Sequence, residues 1–170
     1  MTRAILDRAV AAAKRLDSVW LVASTTGRSA EEAFQVAHHA GVRLVIVTFD
    51  EKQMPEGLQF PLSLRKKIEA SGHQVLSYRR KMRIPLKWFR LFSKICGSEK
   101  WYSLGIGSRV CFRIVRLALR ARLVREGDTV VALAGKEKGL DTALILGVQS
   151  QTRRIILKQI LSVPPSYKEK

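Results

Sequence analysis

Seven residues carry the densest chemistry in the chain: Ser24-Thr25-Thr26-Gly27-Arg28-Ser29-Ala30, set between an apolar run and a helical pattern. Val19-Trp20-Leu21-Val22-Ala23 before them reads as a buried strand, and Ala30, Ala33, Phe34 and Ala37 after them recur at helical spacing. A strand, a hydroxyl-rich turn with one glycine and a helix N-terminus together hold anions well. Free backbone N–H groups and the positive end of the helix dipole both face the turn. Ser24, Thr25, Thr26 and Ser29 add side-chain donors, and Arg28 adds a fork of fixed charge. The stretch lacks the Gly-Lys-Ser/Thr ending of a Walker loop and the three glycines of a dinucleotide fingerprint. A second use of the same residues needs no ligand, since Ser29 with Glu32 fits a capping box.

A second cluster is Gly135-Lys136-Glu137-Lys138-Gly139-Leu140-Asp141-Thr142. Gly135, Lys136, Lys138 and Gly139 could wrap a phosphate or a sugar, the glycines letting backbone approach closely. The same composition also suits a plain turn. Asp141 and Thr142 could orient a ligand hydroxyl or brace the loop, and bracing is the favoured of the two. Thr48 and Asp50, at the end of another apolar run, could reach the same place.

Both clusters have a family likeness. Ser-Thr-Thr-Gly-Arg-Ser-Ala resembles the phosphate loop in the C-terminal, effector-binding domain of pyruvate kinase. The second cluster with Ala143 resembles the Gly-x-x-x-Gly-x-Asp-Thr-Ala signature of small stand-alone proteins with that domain's fold. The order of elements resembles that family over nearly the whole chain, through Val47-Thr48-Phe49, Met54-Pro55 and Ile160-Leu161-Ser162-Val163-Pro164. The resemblance implies a three-layer α/β/α sandwich, a small phosphorylated ligand gripped by residues 24 to 29, and no chemistry of its own. Two features depart from the pattern: fuller members begin with an extra short strand, and residues 79 to 108 are more basic than the family suggests.

Other chemistry has little to rest on. His38-His39 sits near a helix end, where positive charge suits the dipole, and His73 follows Gly72 in a turn. No His-x-x-x-His or Asp-x-Asp pattern accompanies them, so no metal is expected. Cys96 and Cys111 have no paired spacing, which implies neither zinc nor a disulfide framework and makes a reducing cytoplasm the default expectation. No Gly-x-Ser-x-Gly elbow or cysteine–histidine pairing offers a nucleophile. No catalytic residue and no cofactor are therefore assigned, and an enzyme built on Arg28, Lys136 and Asp141 ranks last.

Charge singles out another region. The chain has 31 Lys and Arg against 14 Asp and Glu, a formal balance of +17. Residues 79 to 125 hold fourteen of those bases and one acid, Glu99. One-sided clustering concentrates polyanions near a surface, which solubility alone does not require. At about 100° per residue, Arg109, Arg113, Arg116 and Arg120 fall within roughly 60° on one helix, opposite Val110, Ile114, Leu117, Ala118 and Ala121. Lys87, Arg90 and Lys94 repeat the theme opposite Trp88, Leu91, Phe92 and Ile95. RNA, a ribonucleoprotein or an anionic lipid surface would suit this region. The apolar side of the 86–95 segment is expected to meet the core or a twin subunit, so a homo-oligomer is expected.

The elements that must position these residues follow from periodicity. Helices are expected at about 4–16, 30–40, 62–70, 86–95 and 109–124, and strands at 18–23, 43–49, 74–78, 129–134, 142–148 and 155–163. Strands of Val, Ile and Leu alternating with helices argue for a mainly parallel sheet covered on both faces. The late strands lack an intervening helix, so one of them must run antiparallel. A chain of 170 residues forms one domain here, 1–163, burying roughly 70% of its unfolded surface, with a basic helical insert at about 79–108 and a tail at 164–170. No run approaches the ~20 apolar residues of a membrane span, and no signal peptide is expected from the early Asp7 and the lack of a long apolar core near the N-terminus. Ligands of such sheets sit beyond the carboxyl ends of the strands, where residues 24–29 and 135–141 would share one crevice.

Overall fold

A computed structural model of the chain describes residues 2–50, 52, 54–79, 104–135, 139–150, 152 and 154–164. Six strands form one sheet: β1 (Val19–Ala23), β2 (Leu44–Phe49), β3 (Gln74–Tyr78), β4 (Thr129–Ala134), β5 (Thr142–Val148) and β6 (Ile155–Ser162). Four helices accompany them among the described residues: α1 (Thr2–Arg15), α2 (Arg28–Ala40), α3 (Leu62–Ala70) and α4 (Ile106–Arg120). The sheet order is β3-β2-β1-β4-β5-β6, with β1, β2, β3 and β4 parallel and β5 antiparallel to both its neighbours. The single reversed strand is β5, because the short β4–β5 and β5–β6 connections leave no room for a crossover helix. The sequence expectation of a basic helix at 86–95 lies outside the described residues.

Alternation along the central strands divides the core. Trp20, Val22, Leu44, Ile46, Val131 and Leu133 face α1, α2 and α3, meeting Leu6, Ala9, Ala13, Ala33, Phe34 and Ile68. Leu21, Val45, Val47, Val130 and Ala132 face α4, meeting Cys111, Ile114, Val115 and Ala118. Both faces of β1 are thus covered, which is why its sequence is a continuous apolar run. Each fully buried aliphatic of this kind stabilises the fold by about 1.5–3 kcal/mol.

Helix α1 and strands β1, β2 and β6 shift by one or two residues from the expected ends, and three further helix ends differ for a backbone reason. Helix α2 begins at Arg28 rather than Ala30, after Gly27 takes a left-handed conformation with φ 89°. Ser29 therefore lies inside the first turn, and the expected Ser29–Glu32 capping box is not formed; Glu32 instead lies 3.9 Å from Arg28 on an exposed surface. Helix α4 ends at Arg120 rather than Val124, because Arg122 turns left-handed at φ 58°. The Arg122 N–H bonds to Leu119 O and the Leu123 N–H to Ala118 O, a Schellman closure made without glycine. The same helix starts at Ile106, three residues early, since Gly105 at φ 96° reaches a conformation that other residues resist.

Candidate functional site

The strand order reverses direction at β1 and β4, from which β2 and β3 lie one way and β5 and β6 the other. At such a switch point the connections leave the carboxyl edge in opposite directions and open a crevice between them. Register fixes what lies there. Val22 pairs with Leu133 across the two parallel strands, so Ser24 and Gly135 follow side by side at the same edge. Helix α2 starts from this edge on one sheet face. Helix α4, which precedes β4, brings its N-terminus to the same edge on the other face.

The turn after β1 is held from three sides. The Ser24 hydroxyl, almost buried, accepts the Ala30 N–H at 3.2 Å. The buried Thr48 donates its hydroxyl to Thr25 O at 3.4 Å from the end of β2, and the Ser24 N–H bonds to Val47 O. Gly27 packs on the entry to α3 so closely that a Cβ there would lie 2.8 Å from Pro61 Cδ. Ser24 thus satisfies one of the orphan donors of α2. The N–H groups of Gly27, Arg28 and Ser29 have no acceptor among the described residues. Such groups project along the helix axis toward the turn, where they and the dipole favour an anion. Thr26 and Arg28 are exposed, and Thr25 and Ser29 are partly buried.

A shallow groove of about 470 Å³ adjoins this turn, lined by Thr26, Gly27, Arg28, Glu31, Pro61, Ser63, Leu64 and Lys67. Ser63 and Lys67 come from the first turns of α3. Sequence reasoning missed them, because only the β2–α3 connection and the seating of Pro61 against Gly27 bring α3 there. Glu31 is the one acid in the lining, against Arg28 and Lys67.

The other predicted loop closes on itself. A Cβ on Gly135 would collide with the Gly139 carbonyl, and Gly139 is left-handed at φ 83°. Close backbone approach inside the loop accounts for both glycines. Lys136 and Lys138 lie outside the described residues. Thr142 is fully buried and donates its hydroxyl to Asp141 Oδ1 at 2.6 Å, and the Asp141 N–H returns to Ala134 O. Thr142 also presses on Gly107 of α4, where any Cβ would collide with its hydroxyl. The Asp141 carboxylate therefore sits at the first turn of α4, where a negative charge suits the dipole. Burial pushes the Cys111 thiol well above its ordinary range, and the nearby Asp141 carboxylate adds to the effect. Asp141 and Thr142 brace the edge. They do not line the groove beside Thr26.

The histidines hold structure together. His73 Nδ1 accepts the Leu44 N–H at 3.3 Å, and its ring meets Phe34 edge-on with centroids 5.6 Å apart. Burial, with His38 6.0 Å away between ring centroids, lowers its pKa from 6.5. Among the described residues no group of three or more His, Cys, Asp or Glu could hold a metal, and no helix is long and apolar enough to cross a membrane.

The arginine row lies on the opposite sheet face. Arg109, Arg113, Arg116 and Arg120 are all exposed, while Gly107, Cys111, Ile114, Val115 and Ala118 are buried. Ala121 is exposed, since the helix has already ended there. Lys87, Arg90 and Lys94, the other bases assigned to a polyanion surface, lie outside the described residues. The chain matches no protein-family model.

Proposed function

We propose that this chain is a non-catalytic binding domain for a small phosphorylated metabolite, with its phosphate at the N-terminus of α2. The observation that carries the reading is the set of three unaccepted N–H groups, Gly27 to Ser29, at the switch point of the sheet. The hydroxyls of Thr25 and Thr26 and the Arg28 guanidinium supply further donors to the phosphate. The Ser63 hydroxyl and the Lys67 ammonium extend the lining along α3 for the rest of the ligand. Lys136 and Lys138, which follow β4 in the chain, are assigned to the same ligand, while Asp141 braces the start of β5. The resemblance of Ser24–Ala30 and Gly135–Ala143 to the pyruvate kinase C-terminal domain supports the same reading. We further propose that the sandwich belongs to that fold type and that the protein is homo-oligomeric and cytoplasmic.

Isothermal titration with a sugar bisphosphate, a nucleotide and inorganic phosphate tests this. Each charge-assisted hydrogen bond lost should remove about 1.5–3 kcal/mol of affinity. The pair Thr26→Ala with Arg28→Ala should therefore weaken binding by at least tenfold while leaving the thermal midpoint near that of the parent. Unchanged affinity for all three anions in that variant would end the proposal.

A further inference from the structure

The row on α4 has properties that the metabolite site does not use. Arg109, Arg113, Arg116 and Arg120 lie along about 16 Å of helix axis, at 1.5 Å per residue. The helix contains no acidic residue. Arg116 and Arg120 have no hydrogen-bond or ion-pair partner among the described residues. Arg113 reaches across to the end of β3, donating to the Tyr78 hydroxyl at 2.9 Å with its guanidinium 5.2 Å from the ring centroid. A line of guanidinium groups with an aromatic ring beside it has the form of a backbone-tracking surface with a stacking platform.

The packing of α4 decides between kinds of polyanion. A helix that binds lipid sinks its apolar face into the acyl boundary. Here that face is committed to β1, β4 and β5 through Cys111, Ile114, Val115 and Ala118. Outside it, Ile106 at the helix start is the one large apolar side chain of α4 that is well exposed. Insertion into a duplex groove needs a helix free on most of its circumference, and half of α4 is buried against the sheet. What remains accessible is a one-dimensional row of planar donors suited to successive phosphates.

We infer that α4 docks a single nucleic-acid strand, its phosphates along Arg109, Arg113, Arg116 and Arg120 and a base able to stack beside Tyr78. Recognition is of the phosphodiester backbone and is independent of sequence. The site lies on the opposite sheet face from the α2 turn, so it stands or falls separately from the metabolite reading.

The test is the salt dependence of binding to a fluorescent single-stranded RNA of about 20 nucleotides, with DNA of the same sequence and phosphatidylserine vesicles as parallel arms. Each phosphate contact on a single strand contributes about 0.7 to the slope of log K against log salt. The double variant Arg116→Gln with Arg120→Gln should lower that slope by about 1.4 and weaken binding about 25-fold at 0.1 M salt. Lys14→Gln with Arg15→Gln, exposed on α1 across the sheet, removes the same charge and should leave the slope as it was. RNA and DNA strands should respond alike. Equal losses in the two double variants, an unchanged slope in the α4 variant, or arginine-dependent binding to vesicles without binding to either strand would each overturn the inference.

Discussion

Gly107→Ala tests how the edge of the sheet is closed, because two effects of known size oppose each other there. In an ordinary helix the change from glycine to alanine is worth about 1 kcal/mol of added stability. At position 107 the new methyl would collide with Thr142 Oγ1 and lie 2.7 Å from Thr142 Cβ and 2.9 Å from Asp141 Oδ1. Carbon atoms rest at roughly 3.5–4.0 Å, so the first turn of α4 must retreat by on the order of 1 Å. Thr142 cannot yield, being fully buried in β5 and bonded to Asp141. Overpacking of this kind costs about 1–3 kcal/mol, and the retreat also loosens Cys111, whose helix position backs onto β4. The steric cost should cancel or exceed the propensity gain, leaving a net loss of up to about 2 kcal/mol. Urea unfolding should show the midpoint falling at constant slope, by up to about 1 M for slopes typical of small proteins. Thr142→Gly removes the colliding side chain, and in a double-mutant cycle it should recover part of the loss, with a coupling of about 0.5–3 kcal/mol. A Gly107→Ala protein more stable than the parent by the full helix-propensity gain would refute the close seating of α4 on β5.

Further outcomes follow from the same geometry. Ser24→Ala removes the acceptor of the Ala30 N–H and should cost about 0.5–2 kcal/mol, as loss of a helix cap does, measured by the urea midpoint. Gly27→Ala places a side chain at φ 89° against Pro61 and should cost at least 1–2 kcal/mol. It should weaken phosphate binding as well, because the α2 turn must shift. His73 has a folded pKa below its unfolded value near 6.5. The unfolded chain then binds more protons just below that pH, so this contribution to stability is complete above pH 6.5 and declines as the pH falls through it. His73→Asn, which keeps an acceptor for the Leu44 N–H, should flatten that decline in urea midpoints compared at pH 7.5 and 5.5.

Much of the sheet was legible because its strands are buried on both faces. Leu44 to Phe49 can be little else than a central strand, and the lack of a helical pattern among the late strands called for one reversed strand, which the pairing identifies as β5. The two chemical clusters were legible as a pair, since parallel strands deliver their following loops to one edge. Helix ends were less so. Arg122 in a left-handed conformation carries no sequence signal of the kind Gly41 gives α2, and Gly27 read as a loop residue although it sets the first turn of α2. The division of labour inside the clusters was hidden for another reason. Ser24 is engaged by Ala30, and Asp141 by Thr142 and the start of α4, through contacts that depend on which elements pack together. Ser63 and Lys67 enter the groove only because the start of α3 lodges Pro61 on Gly27.

The most direct measurement is a crystal structure of the protein grown in inorganic phosphate. An anion is expected within hydrogen-bond distance of the Gly27, Arg28 and Ser29 N–H groups, with a hydroxyl of Thr25 or Thr26 completing its shell. The loop from Gly135 to Asp141 should stand beside it at the same edge of the sheet. A lattice in which phosphate occupies the row from Arg109 to Arg120 while the α2 turn holds none would contradict the metabolite site at its foundation.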